Sequence, residues 1–320
     1  MPEDKSDILR KEVDRYIELH AGETFDLDII CRHLNVVSRE GRHTVVKKLS
    51  YLVNDAKKLE KSNRIYRVID NNINTIDLNT PPTPLDIAWP CDDKGNSFGL
   101  DKAKIFRKAT ITLAGEKDNY KTAFCLNFLA MNMDIHHCIY HTIEMSAEEL
   151  VEKLQKFSWI DWQNPDGTWK FLAVETFDNW QDKIKQYPDS IHIIDFLDPG
   201  ENAYNIGTII KHIRERLQNG IALIAIQKKQ STGTRRDGTT YRNEIDYGIG
   251  GQFSEHIARV VLHLSNKNEM YVKVVKSFKG NDNPSGKRYK FYTTHNGTKF
   301  HNIQELVKPN EFELPPEAFR

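Results

Sequence analysis

Cysteine is scarce in this chain. Its four, Cys31, Cys91, Cys125 and Cys138, lie far apart with no metal-ligand spacing. That excludes a disulfide-stapled scaffold and a zinc ribbon, and it predicts reduced thiols in a cytoplasmic protein. No apolar run approaches the ~20 residues that a membrane span requires, and Met1-Pro2-Glu3-Asp4-Lys5 does not read as a signal peptide. No internal repeat is visible. Net charge is missing as well, since 45 basic residues balance 45 acidic ones. Whole-chain charge therefore says nothing about a nucleic-acid partner, and only local clusters can carry that argument.

What is present fits a globular protein of two domains. The chain has 320 residues, 39 % apolar and 28 % charged, enough for one α/β domain of ordinary size and a smaller companion. The most specific segment follows an apolar strand beginning near Ile111. It reads Gly115-Glu116-Lys117-Asp118-Asn119-Tyr120-Lys121-Thr122-Ala123, the P-loop spacing G-x-x-x-x-G-K-[ST] with Tyr120 in place of the second glycine. In such a loop the backbone N–H groups cradle a triphosphate, the lysine reaches its outer phosphates and the Thr122 hydroxyl holds Mg²⁺. A tyrosine before the lysine is strained by ~1–3 kcal/mol if its φ is positive, and its ring must lie over the phosphates or point outward into solvent. ATP binding is the expectation. Loss of hydrolysis is the competing one.

A helix over 122–133 follows, with Phe124, Leu126, Phe128, Leu129 and Met131 as its apolar residues, and then a strand over 138–143. The run Ile143-Glu144-Met145-Ser146-Ala147-Glu148-Glu149-Leu150 resembles the Leu-Glu-Met-Pro-x-Glu-Gln segment of DnaB-type replicative helicases. Ile191-His192-Ile193-Ile194-Asp195-Phe196-Leu197 resembles the family's Walker B strand, and the strand over 221–226 ends in Gln227, like the family's sensor glutamine. Phe98-Gly99-Leu100-Asp101 is similar to the start of its ATPase core. Lys276-Ser277-Phe278-Lys279-Gly280 resembles its Lys-x-Arg-Asn-Gly segment, with Phe278 standing where the family has an arginine and Lys279 one place displaced.

The resemblance covers about residues 98 to 301. It implies a RecA-like P-loop NTPase core with a mostly parallel central sheet. Glu144 would polarise the attacking water, Asp195 and Thr122 would hold Mg²⁺, and Gln227 would sense the γ-phosphate. Lys276 and Lys279 would reach the ATP of a neighbouring subunit in a homo-oligomeric ring or filament. Where an arginine finger operates it contributes ~10³–10⁵ in rate, so Phe278 bears on catalysis. Glu144 has a plainer reading too, as the cap of the helix that starts after Ser146. Asp198 is a weaker candidate that suits a turn before Pro199-Gly200.

Residues 1–70 read as a separate α+β unit. A helix over 8–20 precedes one opened by Phe25-Asp26-Leu27-Asp28 and running to Leu34. A third spans 39–54 with Val45, Val46, Leu49, Leu52 and Val53 facing inward, and two short strands flank a polar turn over 59–69. This order resembles a winged helix-turn-helix domain. Between Arg32 and Arg67 ten basic residues face three acidic ones, as phosphate binding requires. Arg39, Arg42, His43, Lys47 and Arg64 are the candidate contacts to duplex DNA. Protein docking is the alternative use of such a domain.

Residues 71–97, with Pro81-Pro82-Thr83-Pro84, predict an extended spacer. The segment after Gln227 carries Lys228, Lys229, Arg235, Arg236 and Arg242. It resembles the central-channel loops of RecA-type ring ATPases, which implies contact with single-stranded DNA. Trp159, Trp162, Trp169, Phe171 and Trp180 read as core and strand residues, and 309–320 as an acidic tail. The expectation is an ATP- and Mg²⁺-dependent motor or helicase-like protein that acts on DNA, in replication or with proteins of a mobile element. The alternatives are a nucleotide-gated DNA-binding or recruitment protein and a winged-helix adaptor on an inert scaffold.

Overall fold

The computed structural model describes residues 5–70, 75–117, 120–200, 202–234, 240–295 and 297–306, with the backbone alone for 5, 229–234 and 240–245. Asp118, Asn119, Arg235, Arg236 and the tail 309–320 fall outside it, as do the side chains of Lys229 and Arg242. The chain divides into two compact units, Met1–Thr80 and Pro81–Arg320.

In the first unit the helices are α1 (Lys5–Leu19), α2 (Leu27–His33) and α3 (Arg39–Asn54). Strands β1 (Thr24–Asp26), β2 (Leu59–Ser62) and β3 (Ile65–Val68) form a small antiparallel sheet in the order β1-β3-β2. Its core gathers Val13, Tyr16 and Ile17 of α1, Ile30 and Cys31 of α2, Val45, Leu49 and Leu52 of α3, and Phe25, Leu59 and Tyr66 of the strands. Burying an aliphatic side chain of this size contributes ~1.5–3 kcal/mol, so this cluster is what holds a short α+β unit together.

Phe25-Asp26 does not open a helix. Phe25 stacks on Tyr66 at 5.6 Å from within β1, and Asp26 keeps extended backbone angles while its carboxylate accepts from Ile29 N at 2.7 Å. An aspartate in that position satisfies an otherwise orphaned helix N–H. Val46, expected inside, is exposed on α3, as are Ile8 and Leu19 at the ends of α1.

The second unit is a mixed α/β fold on a large, partly parallel sheet. Its strands are β4 (Thr110–Gly115), β5 (Cys138–Thr142), β6 (Leu172–Glu175), β7 (Ile191–Asp195), β8 (Ile221–Thr234), β9 (Thr240–Gly248), β10 (Val260–Ser265), β11 (Glu269–Val275), β12 (Lys287–Thr294) and β13 (Lys299–Glu305). The sheet order is β13-β12-β11-β10-β4-β8-β7-β5-β6, with β9 paired to β8. From β10 to β6 all neighbours are parallel, whereas β10 to β13 form an antiparallel meander. Helices α4 (Lys121–Asn132), α5 (Ala147–Gln155), α6 (Trp180–Gln186) and α7 (Ile206–Arg216) connect the parallel strands.

The apolar runs follow from burial on both faces. In β8, Ile221, Leu223 and Ala225 join the core that contains α4 and α5, while Ala222, Ile224 and Ile226 join the core of α6 and α7. Successive side chains point to opposite faces, so a doubly covered strand is apolar along most of its length.

Residues 85–98 pack on this unit. Leu85 N donates to Ile105 O at 2.7 Å, Ala88 is held at both its N–H and C=O by the Asn132 amide, and Trp89 packs on Phe128. Of the aromatic residues between 159 and 180, Trp162, Phe171 and Trp180 are buried, whereas Trp169 is exposed.

Candidate functional site

Parallel strands all deliver their carboxyl ends to one rim, and here three of four adjacent ones bring a polar residue to it, the fourth a glycine. Across the sheet, β4 ends at Gly115, β8 passes through Gln227, β7 ends at Asp195, and β5 ends two residues before Glu144. They surround an open cleft of about 390 Å³ lined by Lys117, Tyr120, Lys121, Thr122, Ala123, Glu144, Asp195 and Gln227. Clefts outside strand carboxyl ends are the general ligand site of open α/β sheets.

Lys121 opens α4 and is buried. Its ammonium donates to the carbonyls of Gly115 at 3.2 Å and Glu116 at 2.5 Å. The loop thus closes over the lysine that follows it. Gly115 is required for space: a Cβ there would stand 2.9 Å from Lys121 Cγ and 3.2 Å from Cδ.

Tyr120 does take the left-handed conformation, φ 56° and ψ 7°, at the helix N-cap. Its ring does not point outward into solvent. It turns to the meander and meets Phe291 edge-on at 5.5 Å, leaving one edge on the cleft wall. A ring contact of this kind contributes ~0.5–1.5 kcal/mol, comparable to the backbone strain that it accompanies.

Asp195 is buried and accepts from the Tyr140 hydroxyl at 2.5 Å and from the Thr122 hydroxyl. Burial raises its pKa, and the hydrogen bonds from Tyr140 and Thr122, with the charge of Lys121, oppose that rise without cancelling it. Glu144 is exposed just beyond β5, where Thr142 Oγ1 accepts from its N–H at 3.3 Å. It caps nothing: α5 is capped by Ser146, whose hydroxyl accepts from Glu149 N while the Glu149 carboxylate accepts from Ser146 N at 2.8 Å. Gln227 is half-buried, and its carbonyl accepts from Ile249 N at 2.8 Å.

The lining also includes Lys153 and Phe157, at and beyond the end of α5, Phe196 after β7, and Gly297 and Thr298 in the turn between β12 and β13. Asn127 of α4 ties that turn to the loop helix, donating to Ala123 O and Thr298 O at 2.7 Å each. Helical spacing alone could have suggested Lys153, one turn after Glu149. The residues of the β12–β13 turn carry no local signal.

Among the described residues no group of three or more His, Cys, Asp or Glu forms a ready-made cation site. The Asp195 carboxylate beside the Thr122 hydroxyl is a pair of hard oxygens, which suits a small cation that keeps several waters and takes its remaining ligands from phosphates.

Other candidates lie elsewhere. Lys276 and Lys279 follow β11, whose last residue Val275 pairs with Val260 at the start of β10. They therefore occupy the amino-terminal rim, about 17 Å of strand away from the cleft. Lys276 donates to His256 O at 3.1 Å and Lys279 to Asp101 O at 3.0 Å. Strand β8 does not stop at Gln227. It continues to Thr234 and pairs with β9, so the segment expected as a loop is a two-stranded hairpin. Lys228 is buried at its root, 3.6 Å from Asp246, which also pairs with Arg288 at 2.9 Å.

In the first unit Arg39, His43 and Lys47 share one exposed face of α3, and Arg64 sits exposed in the turn between β2 and β3. Arg42 is bound to Asp28, which raises its pKa. Lys48 pairs with Asp14 at 2.7 Å and Arg67 with Glu60 at 3.0 Å.

No protein-family model matches the chain, and no curated protein is found to be similar to it.

Proposed function

We propose that the second unit is a RecA-like ATPase core of the DnaB type and that the chain couples Mg²⁺-dependent ATP hydrolysis to work on DNA. One observation carries this reading: Lys121, Thr122, Asp195, Glu144 and Gln227, drawn from four separate strand ends, line a single cleft. Chance offers no reason for a lysine, a buried acid, an exposed acid and an amide to converge beside a glycine loop.

In this mechanism Lys121 and Lys117 balance the charge of the phosphates at the start of α4, where backbone N–H groups add to the positive end of the helix. Asp195 and Thr122 hold Mg²⁺, which when bound neutralises charge that develops on the phosphates. Glu144, exposed beyond β5, accepts a proton from the attacking water. Gln227 orients the γ-phosphate and passes its state along β8 to the hairpin. The basic face of α3 and Arg64 suit the backbone of duplex DNA, in the manner of a winged helix. Lys276 lies too far from its own cleft to serve it, so any contact it makes with ATP is with a second copy of the chain.

The competing reading is a nucleotide-gated DNA binder. It is favoured by Tyr120 at positive φ, by Phe278, and by the lack of an arginine among the described residues that line the cleft. Titration with a fluorescent ATP analogue tests what both share. Mg²⁺-dependent binding that is lost in Lys121→Ala supports the site, and binding that is indifferent to both Mg²⁺ and Lys121 rejects it.

A further inference from the structure

The amino-terminal rim of the large sheet carries a charge pattern that the proposed reaction leaves unused. Backbone hydrogen bonds fix its order. Lys108 N donates to Gly220 O at 2.9 Å, Arg259 N to Thr110 O at 2.7 Å, Lys276 N to Arg259 O at 2.9 Å, and Lys279 N to Lys102 O at 2.7 Å. These contacts run from the start of β8 past the starts of β4 and β10 to the end of β11. Helix α7 returns to the same rim and ends in Arg214 and Arg216.

Lys108, Arg214, Arg216, Arg259, Lys276 and Lys279 are all exposed there. Among the described residues none of the six is in an ion pair, although the chain as a whole is neutral. The acids nearby are engaged: Glu215 with Lys211, Asp282 with Lys102 and Lys287, and Asp189 with the Asn219 amide. Partial burial and the neighbouring Arg259 and Arg214 push the Lys276 ammonium below its ordinary pKa, as uncompensated like charges should.

Shape separates the possible anions. Four strand ends at ~4.8 Å spacing make a strip of about 15 Å before side chains extend it. That length matches several consecutive phosphates and exceeds what one nucleotide needs. Phe278 is packed against the core, so its ring is not presented beside the six cations to stack on bases. The geometry points to this rim as a second nucleic-acid surface on the ATPase unit, one that grips a sugar–phosphate backbone through charge and without regard to sequence. It is separate from the face of α3 and from the β8–β9 hairpin, and it does not depend on nucleotide.

The test is a fluorescence-anisotropy titration of labelled dT20 with the full chain, without nucleotide, over a range of NaCl. For Arg214→Ala/Arg216→Ala/Arg259→Ala, three lost contacts lower the slope of log K against log salt by about 2 and weaken binding about tenfold or more at low salt. The matching triple lysine variant keeps the charge and binds like wild type. Arg39→Ala/Arg64→Ala, measured alongside, separates any contribution of the first unit. Wild-type affinity and slope in the alanine variant overturn the proposal, as does a lysine variant that loses as much as the alanine one. A chain that binds dT20 through this rim but releases no phosphate leaves the inference intact and removes only the motor.

Discussion

Tyr140→Phe is the most informative single change. The hydroxyl of Tyr140, buried in β5, donates to Asp195 at 2.5 Å, and the phenylalanine ring fills the same space without that donor. Burial already raises the pKa of Asp195, with Tyr140 the foremost of the groups that oppose it. A hydrogen bond to a charged group contributes ~1.5–3 kcal/mol, and each ~1.4 kcal/mol displaces a protonation equilibrium by one pH unit. Removing the donor therefore disfavours the ionised carboxylate, the form needed to hold a divalent cation. The acid limb of kcat/KM for Mg-ATP hydrolysis, followed from pH 5 to 9, moves upward by about 1–2 pH units, while the plateau at high pH stays near wild type. If turnover is slow, Mg²⁺-dependent binding of ATP shows the same limb. A limb that stays in place, or a loss equal at every pH, refutes the assigned role of Asp195.

Other outcomes follow from individual residues. At position 120 the backbone angle and the ring separate experimentally: Tyr120→Gly is more stable than Tyr120→Ala by about 1 kcal/mol in urea unfolding, because only alanine pays the left-handed penalty, and the opposite order contradicts the conformation. Ser146→Ala loses about 1 kcal/mol through the capping box, whereas Glu144→Gln stays within about 0.5 kcal/mol of wild type in the same assay; equal losses would return Glu144 to a structural role. His141 and His192 are bonded to each other at 3.0 Å, and burial holds their pKa values down to about 3 and about 4. Both fall below the unfolded value near 6.5, so stability is complete above that pH and is lost as pH drops from there towards the folded values. The steepest loss is about 1.4 kcal/mol per pH unit for each histidine. His192→Gln flattens that acid slope in denaturation series, and an unchanged slope removes the pair as its cause.

The parts of the fold that could be read in the sequence are those where burial leaves a mark. Strands covered on both faces are mostly apolar, so the runs before Gly115, Glu144, Asp195 and Gln227 stand out, and a glycine or a polar residue after each marks the rim. The three-residue strand β1 is too short for any period to show, and Phe25 looks the same at a helix start as in a strand. Val46 fits the apolar stripe of α3, yet its place on the helix points to solvent. Beyond Gln227 the chain turns polar, and cross-strand pairing with β9, which no local pattern encodes, carries β8 on for seven more residues to Thr234. The ring of Tyr120 was illegible for a similar reason. Phe291, on which it rests, arrives from β12 at the far side of the meander. Gly297 and Thr298 reach the cleft by tertiary contact alone.

Steady-state phosphate release from Mg-ATP, with and without single- and double-stranded DNA and beside Glu144→Gln, tests the central claim most directly. The account predicts turnover that DNA stimulates and that vanishes in Glu144→Gln although nucleotide still binds. Release that persists undiminished in Glu144→Gln, or bound nucleotide that is never hydrolysed with any DNA present, contradicts it.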